Sequence, residues 1–129
     1  MTHEIRVPLP DPACSQNYHG HFRRRHQAMK DARVQAWASC KEAKIPKGHE
    51  HVTISAVWVL GKSANGKGGY RPRDVPNAIG AMKGTIDGIV DAGVIPDDDA
   101  KHLSIGSVTI VRRPDQSQSY IDIRLEITE

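Results

Sequence analysis

The stretch that decides the fold is Tyr70–Leu103, YRPRDVPNAIGAMKGTIDGIVDAGVIPDDDAKHL. Ile79, Met82, Ile86, Ile89 and Val90 recur at three- and four-residue steps, Pro76 suits a first helical turn where its missing donor costs nothing, and Gly93 is a natural stop. The spacing predicts one helix over 76–92. Gly80, Gly84 and Gly88 stand four apart within it, each costing about 1 kcal/mol of helix propensity relative to Ala. A strand or a partner subunit is expected to lie close against that smooth stripe. The helix is also bracketed by acid, with Asp74 just ahead of it and Asp97, Asp98 and Asp99 in a turn behind it. Carboxylates held at the two ends of a rigid element are the donors a hard divalent cation takes, since Mg²⁺ binds oxygen and keeps several waters.

Upstream of that helix, HVTISAVWVL alternates Val52, Ile54, Ala56, Trp58 and Leu60 against Thr53, Ser55, Val57 and Val59, which predicts a central strand buried on both faces near its end. Between strand and helix runs a basic, glycine-rich loop, GKSANGKGGYRPR. Gly61 to Lys67 fits the first part of a phosphate-loop pattern, but Gly68 stands where the Mg²⁺-binding Ser or Thr belongs, so no nucleotide cofactor is expected. Downstream, Leu103–Arg112 reads as a strand with a bulge at Gly106, and Tyr120–Thr128 as another, joined by a turn over Pro114–Ser117.

At the N-terminal side, EIRVPL alternates Ile5, Val7 and Leu9, and Pro8 makes it an edge strand or the end of one. A loop rich in Pro, Ser, Asn and Gly follows. Arg23–Ala43 contains no Gly or Pro, and Met29, Ala32, Ala36, Cys40 and Ala43 recur at helical steps with Trp37 beside them. The order is strand, helix, strand, helix, strand, strand. This is an α+β chain: one domain over residues 1–129, with one mixed sheet of about four strands and two helices packed against it.

Composition sets the outer limits. The chain has 129 residues, 38% hydrophobic and 26% charged but only 5% aromatic, so aliphatic side chains must do most of the packing. Lys and Arg number 18 against 15 Asp and Glu, for a formal charge of +3. The bases gather at Arg23, Arg24, Arg25 and at Lys62, Lys67, Arg71, Arg73, and the acids near residues 87–99. Such segregation suits a nuclease, with acids for metal and bases for phosphates. Cys14 and Cys40 are too far apart for a zinc pattern or a disulfide framework. No apolar run approaches the roughly 18 residues of a membrane span, and MTHEIRVPLP lacks the apolar core of a signal peptide, so a cytoplasmic protein is expected.

RDVPN at 73–77, the helix AMKGTIDGIVDAGVI and DDDAKHL at 97–103 together resemble the RusA-type Holliday-junction resolvases. VPLPDPACSQNYHGH is similar to that family's opening strand and proline-asparagine loop, and the final hairpin falls where the family has one, so the resemblance covers nearly the whole chain. It implies a homodimeric, Mg²⁺-dependent endonuclease, with Mn²⁺ as a substitute ion, that cuts two opposed strands of a four-way DNA junction in recombination and repair, in a family common in phage. The family's R-D-x-D-N motif places its first catalytic aspartate on Asp74, with Asn77 as the motif's Asn. The later acid falls on Asp99, with Asp98 nearly as good a match, and the metal ligands implied are Asp74, Asp99 and Asp98. The helix's basic residue, which would stabilise charge on the phosphate, matches Lys83. Lys83 lies nine residues past Asp74, about 13 Å along a continuous helix, and a plain i, i+4 pair with Asp87 is its other reading.

This sequence departs from the family at the motif's second acid, where it has Pro76. One carboxylate ligand is thereby lost, which weakens metal binding and its placement for in-line attack. A second reading follows: a resolvase-like protein that binds branched or duplex DNA without cutting it. Elsewhere, strand alternation sends His49 and His51 to one face and Glu50 to the other, which argues against a metal site there. His19, His21 and His26 stand near the arginine run as further candidates for DNA contact.

Overall fold

The computed structural model describes residues 1–62 and 69–128. Four strands form one sheet: β1 (Thr2–Val7), β2 (His51–Leu60), β3 (Leu103–Arg112) and β4 (Tyr120–Thr128), in the spatial order β1-β4-β2-β3. β4 runs antiparallel to both β1 and β2, whereas β2 and β3 are parallel, so the sheet is mixed, as the sequence predicts. A parallel pair needs a crossover, and here two helices supply it, α2 (Val75–Gly80) and α3 (Lys83–Asp91). The remaining helix, α1 (Phe22–Glu42), follows a short 3-10 turn at Pro12–Cys14.

Alternation decides which face of the sheet is dry. Ile5 and Val7 of β1, Val52, Ile54, Ala56, Trp58 and Leu60 of β2, and Ile121, Ile123, Leu125 and Ile127 of β4 share one buried cluster with Ala36 and Cys40 of α1 and Ile86 and Ile89 of α3. Both long helices therefore cover the same face. Trp58 is fully buried and meets Tyr70 edge to face, with ring centroids 6.3 Å apart. β2 ends with Trp58, Val59 and Leu60 all buried, as the unbroken apolar run implies. The register of β2 on β3 advances from Ile54↔Ile105 to Ala56↔Val108, which places a bulge at Gly106–Ser107. A Cβ at Gly106 would sit 3.2 Å from the Thr53 side chain and collide with Ser55 Oγ, so glycine is what allows the bulged strand to lie so close.

The crossover differs from the sequence reading. The expected single helix over 76–92 is two helices, joined by a tightened turn in which the Met82 amide donates to the Ile79 carbonyl at 3.0 Å. Ala81 and Met82 have ψ near zero, at −6° and 1°, flatter than an α-helix. Gly80 is the weak point in propensity, and a Cβ there would come 2.7 Å from Gln16 Oε1 of the preceding loop. α2 is thus held by the N-terminal loop while α3 follows α1, and the bend lets Ala78, Ala81 and Met82 all reach the core.

The glycine stripe is resolved in a way the sequence reading did not foresee. Neither a strand nor a partner subunit covers Gly84 and Gly88; helix α1 does. A Cβ at Gly84 would meet the Met29 carbonyl oxygen at 2.8 Å and the Ala32 Cβ at 3.1 Å. At Gly88 it would run into the Arg33 carbonyl oxygen and lie 2.8 Å from the Ala36 Cβ. Glycine on one helix and alanine on the other bring the two backbones together. Trp37 is the counterpart correction: placed beside the apolar stripe of α1 in sequence, it is 42% exposed.

Candidate nucleic-acid and metal site

The RDVPN motif forms the start of α2. Asp74 is its N-cap, in extended geometry, and its Oδ1 accepts the Asn77 amide at 2.9 Å. Pro76 follows within the first turn, where an amide donor would have no intrahelical partner. Asn77 in turn accepts a hydrogen bond on Oδ1 from the Asn17 side chain at 3.4 Å. That contact ties the NYHGH loop to the motif across 60 positions of sequence. In the sequence, Asn17 carries no signal beyond its place in a proline-asparagine loop.

The acidic turn reaches the other helix. After Gly93, which has a left-handed φ of 84°, the chain doubles back with Val94 and Ile95 buried, and Asp98 comes to lie against Lys83 at the first position of α3. Lys83 Nζ also donates to Asp87 Oδ1 at 3.0 Å. The plain i, i+4 pair is therefore present, and the same ammonium group also meets the acidic turn. Because α2 and α3 are separate, Lys83 is not set back from Asp74 along one rigid rod. The ion pair raises the Lys83 pKa, chiefly through Asp98, and lowers that of Asp98, chiefly through Lys83. Both groups are thereby held in their charged forms.

The other acids have local duties. Asp97 Oδ1 accepts the Asp98 amide at 2.8 Å, and Asp99 Oδ1 accepts the His102 amide at 3.1 Å. His102 places Nδ1 2.7 Å from the Glu50 carbonyl oxygen, which requires that nitrogen to carry the proton. Both ring nitrogens of His51 are engaged as well, with the Lys101 carbonyl at 3.0 Å and Ser104 Oγ at 2.9 Å. These histidines lace the start of β2 to the turn before β3.

Among the described residues, no group of three or more His, Cys, Asp or Glu side chains is placed to hold a metal ion. Asp74, Asp98 and Asp99 each engage one carboxylate oxygen in a protein hydrogen bond. The donor chemistry suits a hard cation such as Mg²⁺, which is commonly held by only one or two carboxylates together with substrate phosphates and water. It does not amount to a preformed cage.

The basic residues divide into two sets. Arg24 pairs with Asp11 at 3.2 Å and lies over the Tyr18 ring, Arg25 donates to the Ser15 carbonyl at 2.8 Å, and Arg71 donates to the Gly61 carbonyl at 2.8 Å and to Ser119 Oγ at 3.4 Å. Each of these three fastens a loop. Arg23, Lys62 and Arg73 are exposed, with no ion pair among the described residues. Lys67 lies outside the described residues. The N-cap of α1 is His21, whose Nδ1 accepts the Arg23 amide at 3.1 Å, so this histidine is engaged in helix capping.

Compared with known proteins, the chain matches no family model and no curated protein sequence. No helix among the described residues is long and apolar enough to cross a membrane.

Proposed function

We propose that this chain is a RusA-like, Mg²⁺-dependent endonuclease acting as a homodimer on branched DNA, with four-way junctions as its substrate. The observation that carries the reading is the Lys83–Asp98 contact, which joins the helix lysine to the acidic turn across 15 positions of sequence. Asp74, Asp98 and Asp99 would hold the ion, which when bound activates a water and offsets charge on the phosphorus. Lys83 keeps Asp98 ionised and, in exchanging a carboxylate for a phosphate oxygen, neutralises the scissile group. Arg23, Lys62 and Arg73 are free to meet the DNA backbone. A two-fold symmetric substrate is most simply cut by two sites related by the same axis.

A second reading is favoured by Pro76: a resolvase-like protein that binds branched DNA without cutting it. Incubation with a synthetic four-way junction and Mg²⁺ or Mn²⁺ separates the two. The nuclease reading expects paired nicks that Asp74→Asn abolishes. Tight binding with no cleavage, unchanged by Asp74→Asn, would establish the binder instead.

A further inference from the structure

We propose that the groove between α1 and α3 binds unpaired nucleic acid, with a base stacked on Trp37 and the phosphates tracked by the cations of α1. The inference rests on the nucleic-acid reading above but not on cleavage. Arg23, His26, Lys30, Arg33, Trp37 and Lys41 recur at three- and four-residue steps and are all exposed, so they occupy one face of α1, alongside the Ala28, Ala36 and Cys40 stripe that meets the interior. From Arg23 to Lys41 this face runs about 27 Å at 1.5 Å per residue.

The groove has a volume of about 630 Å³ and its apolar surface comes from Met29, Val34 and Trp37. Val34 is 53% exposed and Trp37 42%, more than core packing requires of either. Its α3 wall contributes Asp87, which shares the Lys83 ammonium group with Asp98, and Asp91, which pairs with Arg33. Lys30 has no ion pair among the described residues, and neither do Arg23 and Lys41 on the same face of α1, so three cations there are open to phosphate. At the far end of the stripe Lys41 sits against Lys47, and that crowding of like charges pushes the Lys41 pKa down. A phosphate relieves such a contact.

An aromatic face among cations is how single strands are held without sequence preference, because every base has a π-face and every nucleotide a charge. A paired duplex keeps its bases inside and cannot use Trp37. A second copy of the chain is the poorer occupant, since two α1 stripes brought together on a two-fold axis would oppose cation to cation.

The test uses the full chain without divalent ions, titrated with oligodeoxythymidylate and, separately, with blunt duplex. The other tryptophan, Trp58, is fully buried, so a change in emission reports Trp37. Saturating oligonucleotide is expected to quench that emission. Trp37→Ala should weaken binding of a labelled oligonucleotide about tenfold, with Trp37→Phe keeping most of the affinity. Lys30→Ala should reduce the salt slope by about one. Unchanged emission, equal quenching by blunt duplex, or full affinity in Trp37→Ala would overturn the proposal. So would a dimer that Trp37→Ala converts to monomer, which would give the groove to a second copy. A protein that cuts junctions but fails these measurements loses only this site; one that passes them without ever cutting loses only the nuclease reading.

Discussion

Gly88→Ala tests the central packing decision of the fold. In most helices this change stabilises, by about 1 kcal/mol of propensity. Here the added Cβ would run into the Arg33 carbonyl oxygen and sit 2.8 Å from the Ala36 Cβ, inside the 3.4 Å at which ordinary contact begins. Overpacking costs about 1–3 kcal/mol, and a backbone carbonyl cannot rotate aside as a side chain can, so the upper end applies. After the propensity gain is set against it, the variant should lose about 2 kcal/mol, or roughly 6–10 °C of melting temperature for a domain of this size. Thermal unfolding followed by circular dichroism measures this. Gly84→Ala, where the nearest atoms are the Met29 carbonyl oxygen at 2.8 Å and the Ala32 Cβ at 3.1 Å, should lose less. If Gly88→Ala melts at or above the parent, the α1–α3 contact is not as close as described and the reasoning fails.

Four further outcomes are expected. The Asp98 carboxyl, stabilised as the anion by Lys83, should titrate below its ordinary 3.8, so the pairing contributes above that pH and fades as pH falls through the lowered value; in Lys83→Met the NMR midpoint should return toward 3.8, and an unmoved midpoint would refute the contact. Burial raises the Cys14 thiol pKa and pushes Cys40 up to about 11, so neither should react with a thiol reagent at pH 8 until denaturant is added, and rapid native labelling would contradict the burial. Trp58→Ala should cost about 3–5 kcal/mol in denaturant unfolding, whereas Trp58→Phe should cost far less, because it keeps most of the volume and removes an indole N–H with no hydrogen-bond partner among the described residues. Pro76→Asp should raise junction cleavage if a missing carboxylate limits activity; equal or lower cleavage in a folded variant would put the limitation elsewhere.

Much of the fold could be read from residue order because its elements carry strong local signals. β2 follows from its alternation and its apolar end, β1 from its stop at Pro8, and the bulge in β3 from Gly106 within an otherwise regular strand. The crossover was harder. Periodicity continues through Gly80–Met82, since Ile79, Met82 and Ile86 keep helical spacing, and nothing local announces that Gln16 will pack against Gly80. At the candidate site, capping chemistry marks Asp74 and Pro76, and i, i+4 spacing marks Lys83 with Asp87. The Lys83–Asp98 and Asn17–Asn77 contacts have no local signal, because each joins residues far apart in the chain.

What the sequence determined by itself is the four strands, helix α1 and the helical character of the crossover, because side-chain period and helix propensity act over a few residues and do not depend on the rest of the chain. What only the tertiary structure decided is which element meets which. The glycines at 84 and 88 face Ala32 and Ala36 of α1 rather than the sheet, Trp37 lies at the surface, and the reversal at Gly93 returns Asp98 to Lys83. Each is a contact between residues distant in sequence, fixed by how the helices and the sheet close over one core.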